Sequence, residues 1–495
     1  MITTMKRALS YTRNLIYSTL LLSTLYGCKV GPSITIPPVD VAQKWQSDDE
    51  SLILGEEPLE LWELFDDPLL SEFLQKISKD NHSTRIALAK IEQAYAMRQT
   101  VNSKLFPLVD LEINNSASRP AGGILKSNAT NTSTGMTASA IPLNLTERTF
   151  FANFDALWEI DFFGRTRHEI DSSTASLQME MASYDATLLA LMAEFGRSYL
   201  ELRRLQKEWE LTRKEATILE KKTQSLQNRL DHGLDSELGL LDNKAALDIV
   251  KAQIPAQEAE ILHQIYSLSV MAGKPPTTLL EELQDQADIP TIQAFIPTGF
   301  PSDLLRRRPD IRLSEHNIAK ATADLGIAVA DLFPKITLTG NYGYQTLHLG
   351  NTAGKGASFG YGVDLFTPIF HAGSLKANVQ AHKWMREGAL ISYEQTVYQA
   401  FEESETAIAR FIKSKQTLQD TQNLFKKRIL LLKHNEQLYE NGLASELELL
   451  DAEQKSIQAN LDLINQETEI GINLIALYKR LGGSFHKSAN SKKNR

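Results

Sequence analysis

Hydrophobic and polar positions along this chain change period several times, and the changes come in a repeated order. Over 107–118, Val109, Leu111 and Ile113 alternate with Asp110, Glu112 and Asn114. Over 149–163, Ala152, Phe154, Ala156, Trp158, Ile160 and Phe162 alternate with mostly polar partners. Period-two alternation marks strands with two unlike faces. The pattern returns at 334–345, where Ile336, Leu338, Tyr342 and Tyr344 oppose Lys335, Thr337, Thr339 and Asn341. A fourth strand, 357–369, carries Phe359, Tyr361, Val363 and Leu365 on one face. The Gly/Ser/Asn/Thr-rich stretches Gly122 to Gly135 and Gly350 to Gly360 read as exposed hairpin tips.

After each strand pair the period lengthens. No proline occurs from Gly164 to Ile254 or from Gly373 to Asn441. Gly233 divides the first of these stretches, and the segment before it predicts a helix of about 68 residues, roughly 100 Å at 1.5 Å per residue. Leu390, Val397, Phe411, Leu418, Phe425, Leu432 and Tyr439 lie seven apart, broken only by Ser404. Subtracting 209 gives Met181, Leu188, Phe195, Leu202, Trp209, Ala216, Thr223 and Leu230, so both stretches share one coiled-coil register. Gly233-Leu234-Asp235-Ser236 and Gly442-Leu443-Ala444-Ser445 each end one helix and begin another. Glycine supplies the left-handed residue of the stop, and serine caps the next helix. Long antiparallel helical hairpins are therefore predicted at 165–272 and 373–481.

The chain is written twice. Arg85, Ile91, Ala94 and Phe106-Pro107 recur as Arg312, Ile318, Ala321 and Phe333-Pro334, an offset of 227. Gly164 and Gly233-Leu234 recur as Gly373 and Gly442-Leu443, an offset of 209. The period is too long for a solenoid and indicates two tandem structural repeats. The predicted organisation is a signal segment 1–27, an N-terminal segment 28–82, a first repeat 83–275, a linker 276–300, a second repeat 301–482 and a disordered tail 483–495. Each repeat reads helix, two strands, long helical hairpin. The fold class is mainly α with four strands per chain.

Strands of about ten residues can cross a bilayer when tilted. Four cannot close a barrel, since the smallest membrane barrels have about eight. An open edge in lipid leaves unpaired backbone groups. The strands either join other copies or form an ordinary sheet in water; three copies would supply twelve, which permits closure without requiring it.

Composition narrows the class. Hydrophobic residues make up 42% and charged residues 23%, and mean hydropathy is −0.25. That excludes a polytopic helical membrane protein, yet leaves a β-barrel open. A net charge of −9 argues against a nucleic-acid partner. The one cysteine, Cys28, excludes an intrachain disulfide and Cys-based zinc clusters. Lys6, Arg7 and Arg13 precede an apolar stretch from Leu15 to Leu25, a signal-peptide pattern too short to span a bilayer. It ends at Leu25-Tyr26-Gly27-Cys28, which resembles the lipobox of bacterial lipoproteins and implies a covalent lipid on Cys28. By that resemblance, Lys29 after the cysteine directs the protein to the outer membrane.

No catalytic or metal constellation stands out. The ten histidines show no HExxH or paired i,i+4 spacing. Gly354-Lys355-Gly356 has no helix after it, as a phosphate loop requires. Arg306-Arg307-Arg308 reads as a solvent or capping feature. Glu448 and Asp451, three apart, share one helix face just past the second turn.

Several stretches together resemble the TolC-like outer-membrane efflux channel family, in its lipoprotein branch. They are Cys28-Lys29-Val30-Gly31-Pro32, Leu61-Trp62-Glu63-Leu64-Phe65-Asp66-Asp67-Pro68-Leu69, Trp158 to Arg165, Arg307 to Arg312, and Gly326-Ile327-Ala328 leading to Phe333-Pro334. The resemblance covers nearly all of the chain from Cys28 to about Gly483. It implies a homotrimer with a 12-strand barrel in the outer-membrane lipids, a 12-helix periplasmic tunnel and an equatorial belt of smaller helices. It implies a passive gated conduit for small molecules, fed by an inner-membrane pump through a periplasmic adaptor protein. Neither enzymatic activity nor any cofactor beyond the Cys28 lipid is implied. Gly233, Leu234, Asn441, Gly442 and Leu443 match the adaptor-docking tips, Glu448 and Asp451 the acidic pore rings, and Tyr439 a gate tyrosine. Ala444 stands where an arginine is often found and Gly239 where an aspartate is, so other contacts would hold the gate. Alternatives are a type I secretion exit duct, or a lipid-anchored periplasmic coiled-coil scaffold whose strands form a soluble sheet.

Overall fold

The computed structural model describes residues 28–40, 42, 44–46, 52–53, 60–118, 147–292, 296–349 and 352–483. The signal segment 1–27, the tips within 119–146 and 350–351, and the tail from 484 lie outside those residues. The main elements are α1 (Pro68–Asp80), α2 (His82–Ser103), β1 (Leu108–Ser118), β2 (Glu147–Ile160), α3 (Arg165–Asp231), α4 (Glu237–Met271), α5 (Pro309–Ala330), β3 (Lys335–Leu349), β4 (Thr352–Phe366), α6 (Ser374–Glu440) and α7 (Glu446–Arg480). Both α3 and α6 are 67 residues long, and both α4 and α7 are 35. The chain divides into two compact units that cut across the repeats. One takes residues up to Thr35, Tyr95–Ser176 and Ile318–Gly388; the other takes Ile36–Ala94, Leu177–Asn317 and the chain from Ala389.

The first unit contains an antiparallel four-stranded sheet in the order β1-β2-β3-β4. Its register aligns like with like. Leu111, Phe154, Tyr342 and Phe359 form one row, and Asp110, Asp155, Asn341 and Gly360 the adjacent row on the opposite face. One face is thus apolar and aromatic and the other polar, and a slip of one residue would exchange them. The apolar face stays uncovered, with Phe359 76%, Tyr361 90% and Leu365 67% exposed. β1 and β4 are open edges of this sheet.

Strands β3 and β4 are longer than alternation predicts. Gly354, Lys355 and Gly356, read from sequence as loop, pair with Leu347, Thr346 and Gln345 inside the ladder. Glycine-rich runs lack side-chain alternation, so the pairing partner, not the local pattern, decides the state. Close strand approach also needs some of these glycines. A Cβ at Gly343 would collide with the Asn153 side chain and the Ala152 carbonyl.

In the second unit α3 packs on two neighbours. Leu211 and Ile218 meet Leu450, Ile457 and Ile464 of α7. Ala216 and Leu219 meet Leu247 and Val250 of α4. The heptad stripe is buried in its middle, at Phe195, Leu202, Val397 and Phe411. At Met181 and Tyr439 it is exposed. The break at Ser404 is fully buried. Its hydroxyl is satisfied by the Ala400 and Arg480 carbonyls, at 2.8 and 3.1 Å.

Arg308 overturns the reading of the triple-arginine cluster as a solvent or capping feature. Its side chain is 7% exposed. Nη2 donates to Asp310 and Glu403 at 2.6 and 2.7 Å, and Nη1 to the Ala400 and Arg480 carbonyls at 3.3 and 3.1 Å. Glu403 also accepts from Arg480 at 2.9 Å. A guanidinium with four acceptors in fixed directions ties the start of α5 to α6 and the end of α7. Removing one partner of such a buried pair destabilises by about 3–5 kcal/mol, because an unmatched charge stays behind.

Candidate functional site

Two groups of residues carry the predicted chemistry, one in each unit. In the first, the segment that begins at Cys28 lies along the end of β2 and the start of α3. Cys28 itself is exposed. The Val30 amide donates to the Phe163 carbonyl at 3.1 Å. His168 Nε2 donates to the Val30 carbonyl at 2.7 Å, and Lys29 is ion-paired with Asp171. The His168 ring lies between two glycines. A Cβ on Gly326 would collide with it, and one on Gly31 would crowd it at 3.1 Å. Burial pushes the imidazole below its ordinary value, against the opposing pull of the Val30 carbonyl bond. His168 is therefore a neutral donor clamping the chain just after the cysteine. Periodicity marks neither His168 nor Gly326; only the pairing with residues 29–31 gives them a role.

The second group surrounds two helix–helix turns. Gly233 and Gly442 sit at φ +76° and +69°, the left-handed region that glycine enters freely. The amides of Leu234 and Leu443 reach back to the Arg229 and Leu438 carbonyls, each at 2.8 Å, closing both helices in the same way. Leu234 and Leu443 point outward, 68% and 76% exposed. The Ser236 hydroxyl accepts the Gly239 amide at 3.4 Å, and the Ser445 hydroxyl accepts the Glu448 amide at 3.3 Å. Only the second turn completes a capping box, because Glu448 reaches back to the Ser445 amide at 2.7 Å. Gly239 has no side chain to do the same.

The two acidic residues differ in state. Glu448 is exposed, and its carboxyl is held below the ordinary range by the amide and hydroxyl of Ser445. Asp451 is paired with Lys222 of α3 at 2.5 Å. Nearby, Gln454 donates to Glu215 at 3.1 Å and Arg204 to Asn465 at 3.3 Å. A polar ladder thus joins the first hairpin to the second alongside the apolar cluster of α3 and α7. The sequence pattern does not single out Lys222, since its partner lies 229 residues away. Tyr439 is 42% exposed, one residue before the end of α6.

Among the described residues no helix is long and apolar enough to cross a membrane. Among them also, no group of three His, Cys, Asp or Glu side chains is placed to hold a metal.

The sequence pattern of the family described as "Outer membrane efflux protein" matches residues 73–274 and 300–483, one segment in each half. The chain belongs to this family. Within it, the chain is 26% identical to the toluene efflux pump outer membrane protein TtgC of Pseudomonas putida, over 96% of both chains. The outer-membrane channel OprN has 29% identity and a TM-score of 0.78, covering 92% of this chain and 99% of its own. The CmeC outer membrane channel of Campylobacter jejuni shares the fold at a TM-score of 0.81 and 20% identity, covering 94% and 97%. This outer membrane efflux protein has Ala444 and Gly239 at the two turns, and its two hairpins are joined by the Lys222–Asp451 pair.

Proposed function

We propose that this protein is the outer-membrane channel subunit of a tripartite efflux system, a passive gated conduit that carries small molecules out and catalyses no reaction. One observation carries the reading: a sheet with an uncovered aromatic face, a polar opposite face and two open edges. In water that face would be an aggregation surface; in lipid it is satisfied, provided the edges are closed. Closure by two further copies gives a homotrimer with twelve strands around a polar lumen and six helical hairpins. The exposed Cys28, clamped at the end of β2, suits a lipid anchor at the membrane surface. An inner-membrane pump delivers substrate through a periplasmic adaptor, which engages the outward-pointing Leu234 and Leu443 at the turns formed by Gly233, Asn441 and Gly442. Glu448 and Asp451 ring the entrance, and Tyr439 stands in the gate. In this state Glu448 supplies the free charge of that ring, whereas Asp451 is compensated by Lys222.

The test is conductance of purified protein in planar bilayers. Discrete channels should appear, and divalent or trivalent cations on the periplasmic side should block them. Glu448→Gln keeps the capping box and removes the charge; combined with Asp451→Asn it should weaken that block severalfold. Absence of channels removes the conduit, and unchanged block in the double variant removes the acidic ring.

A further inference from the structure

The two open edges of the sheet are related by the internal repeat, and the repeat fixes how they should meet. Inside the chain, the second strand of the first hairpin, β2, pairs with the first strand of the second hairpin, β3. The first hairpin pairs Leu108 with Leu157, and the second pairs Lys335 with Phe366. These pairs superpose by the offsets that the sequence repeats, 227 for the first strand of each hairpin and 209 for the second. The β2–β3 seam can therefore be carried over to the one seam that the chain leaves open, between its β4 and a β1.

We infer that β4 of one copy pairs antiparallel with β1 of the next in the register that places Asp364 opposite Asn114 of the partner subunit. This rests on the trimeric reading above and adds the residues at which the two edges meet. Within the chain Asp155 lies opposite Asn341. The offsets convert Asp155 into position 364 and Asn341 into position 114, and the sequence holds Asp and Asn again at those positions. The register passes a second check. Leu365 falls opposite Ile113 of the partner subunit, so the apolar faces of the two sheets run on without a break, whereas a shift of one residue would put Leu365 among the polar side chains. It also accounts for the segment after β4. Ile160 pairs with Ile336, so the carried-over register pairs Ile369, now 95% exposed, with Val109 of the partner subunit. The carried-over register thus extends the seam past Phe366 to Ile369, with Pro368, which has no N–H, donating nothing to the partner strand.

A shift of two residues preserves the faces, so the experiment must resolve it. Asn114→Cys with Asp364→Cys should give, under mild oxidation, a disulfide-linked ladder ending at the trimer on non-reducing denaturing gels. The single variants, which retain Cys28, should give none. Glu112→Cys with Asp364→Cys displaces the pair by about 7 Å along the strand and should cross-link about tenfold less. Stronger cross-linking of the shifted pair, or none at Asn114/Asp364 in a particle that sediments as a trimer, overturns the register. A particle that sediments as a monomer without cross-links overturns the assembly on which it rests.

Discussion

At the residue scale, the most informative side chains are those whose partners are far away in sequence. His168 meets Val30 across 138 positions and Arg308 meets Glu403 across 95. Local pattern cannot show such residues, because neither period nor propensity records a distant acceptor. His168 also makes the clamp on residues 29–31 sensitive to acid. Burial holds its imidazole below the ordinary value of about 6.5, with Lys29 acting the same way and Asp171 and Asp161 opposing. A group whose pKa is depressed in the docked state stabilises docking fully above its undocked pKa, and that contribution is lost as pH falls through the docked value. The Val30 amide, bonded to Phe163, should therefore exchange faster, relative to its intrinsic rate, below about pH 6 than at about pH 7.5. His168→Gln keeps a donor without a titration and should flatten that dependence. An identical pH response in the variant would assign the effect elsewhere.

At the element scale, the sequence was most legible where burial imposes a period. Alternation gave the four strands their faces, and the heptads gave α3 and α6 a shared stripe, because each period reports which side of an element is turned to other side chains. Strand ends were not legible, since Gly354 to Gly356 has little side chain to alternate and is held by its ladder alone. The helix turns were legible from glycine and serine, although the difference between them emerged only from the caps. The second turn has a capping box and the first has Gly239 at the same position. Gly239→Gln should complete the first box. A Cβ there meets only ordinary contacts, Asp235 at 3.7 Å and Ser236 at 3.9 Å. The change replaces a poor helix former, worth about 1 kcal/mol, and offers the Ser236 amide, now bonded to Asp235 at 2.9 Å, a second acceptor. Hydrogen exchange of the first-turn amides of α4 should slow about fivefold, while those of α7 stay unchanged. No slowing at α4 would mean that the turn is already held by contacts outside the cap.

At the scale of the whole molecule, in the trimer proposed above, the quasi-symmetry that gives the register between copies makes the two kinds of seam unequal. The seam inside the chain is reinforced at its foot. Arg165 Nε donates to Asp331 at 2.9 Å, and Phe163 stacks on Phe333 with centroids 4.9 Å apart. Burial pushes the Asp331 carboxyl up, yet the bonds from Lys335 and Arg165 outweigh it and keep the group ionised. The offsets turn Arg165 into Ser374, Asp331 into Lys104, and Phe163 into Ala372, while Phe333 becomes Phe106, which is 68% exposed. The proposed seam between copies would thus lack the ion pair and one ring of the stack, so subunits should part before any chain unravels. Installing the missing pair tests this. Lys104→Asp alone forfeits the Lys104–Glu169 contact and should lower the temperature at which trimers separate into folded monomers on unheated gels. Ser374→Arg alone places two cations across the seam and should lower it as well. Together they should raise it by a few degrees above the sum of the single effects, the signature of a direct coupling between neighbouring groups. Simple additivity of the two changes would mean that these positions do not face each other across the seam.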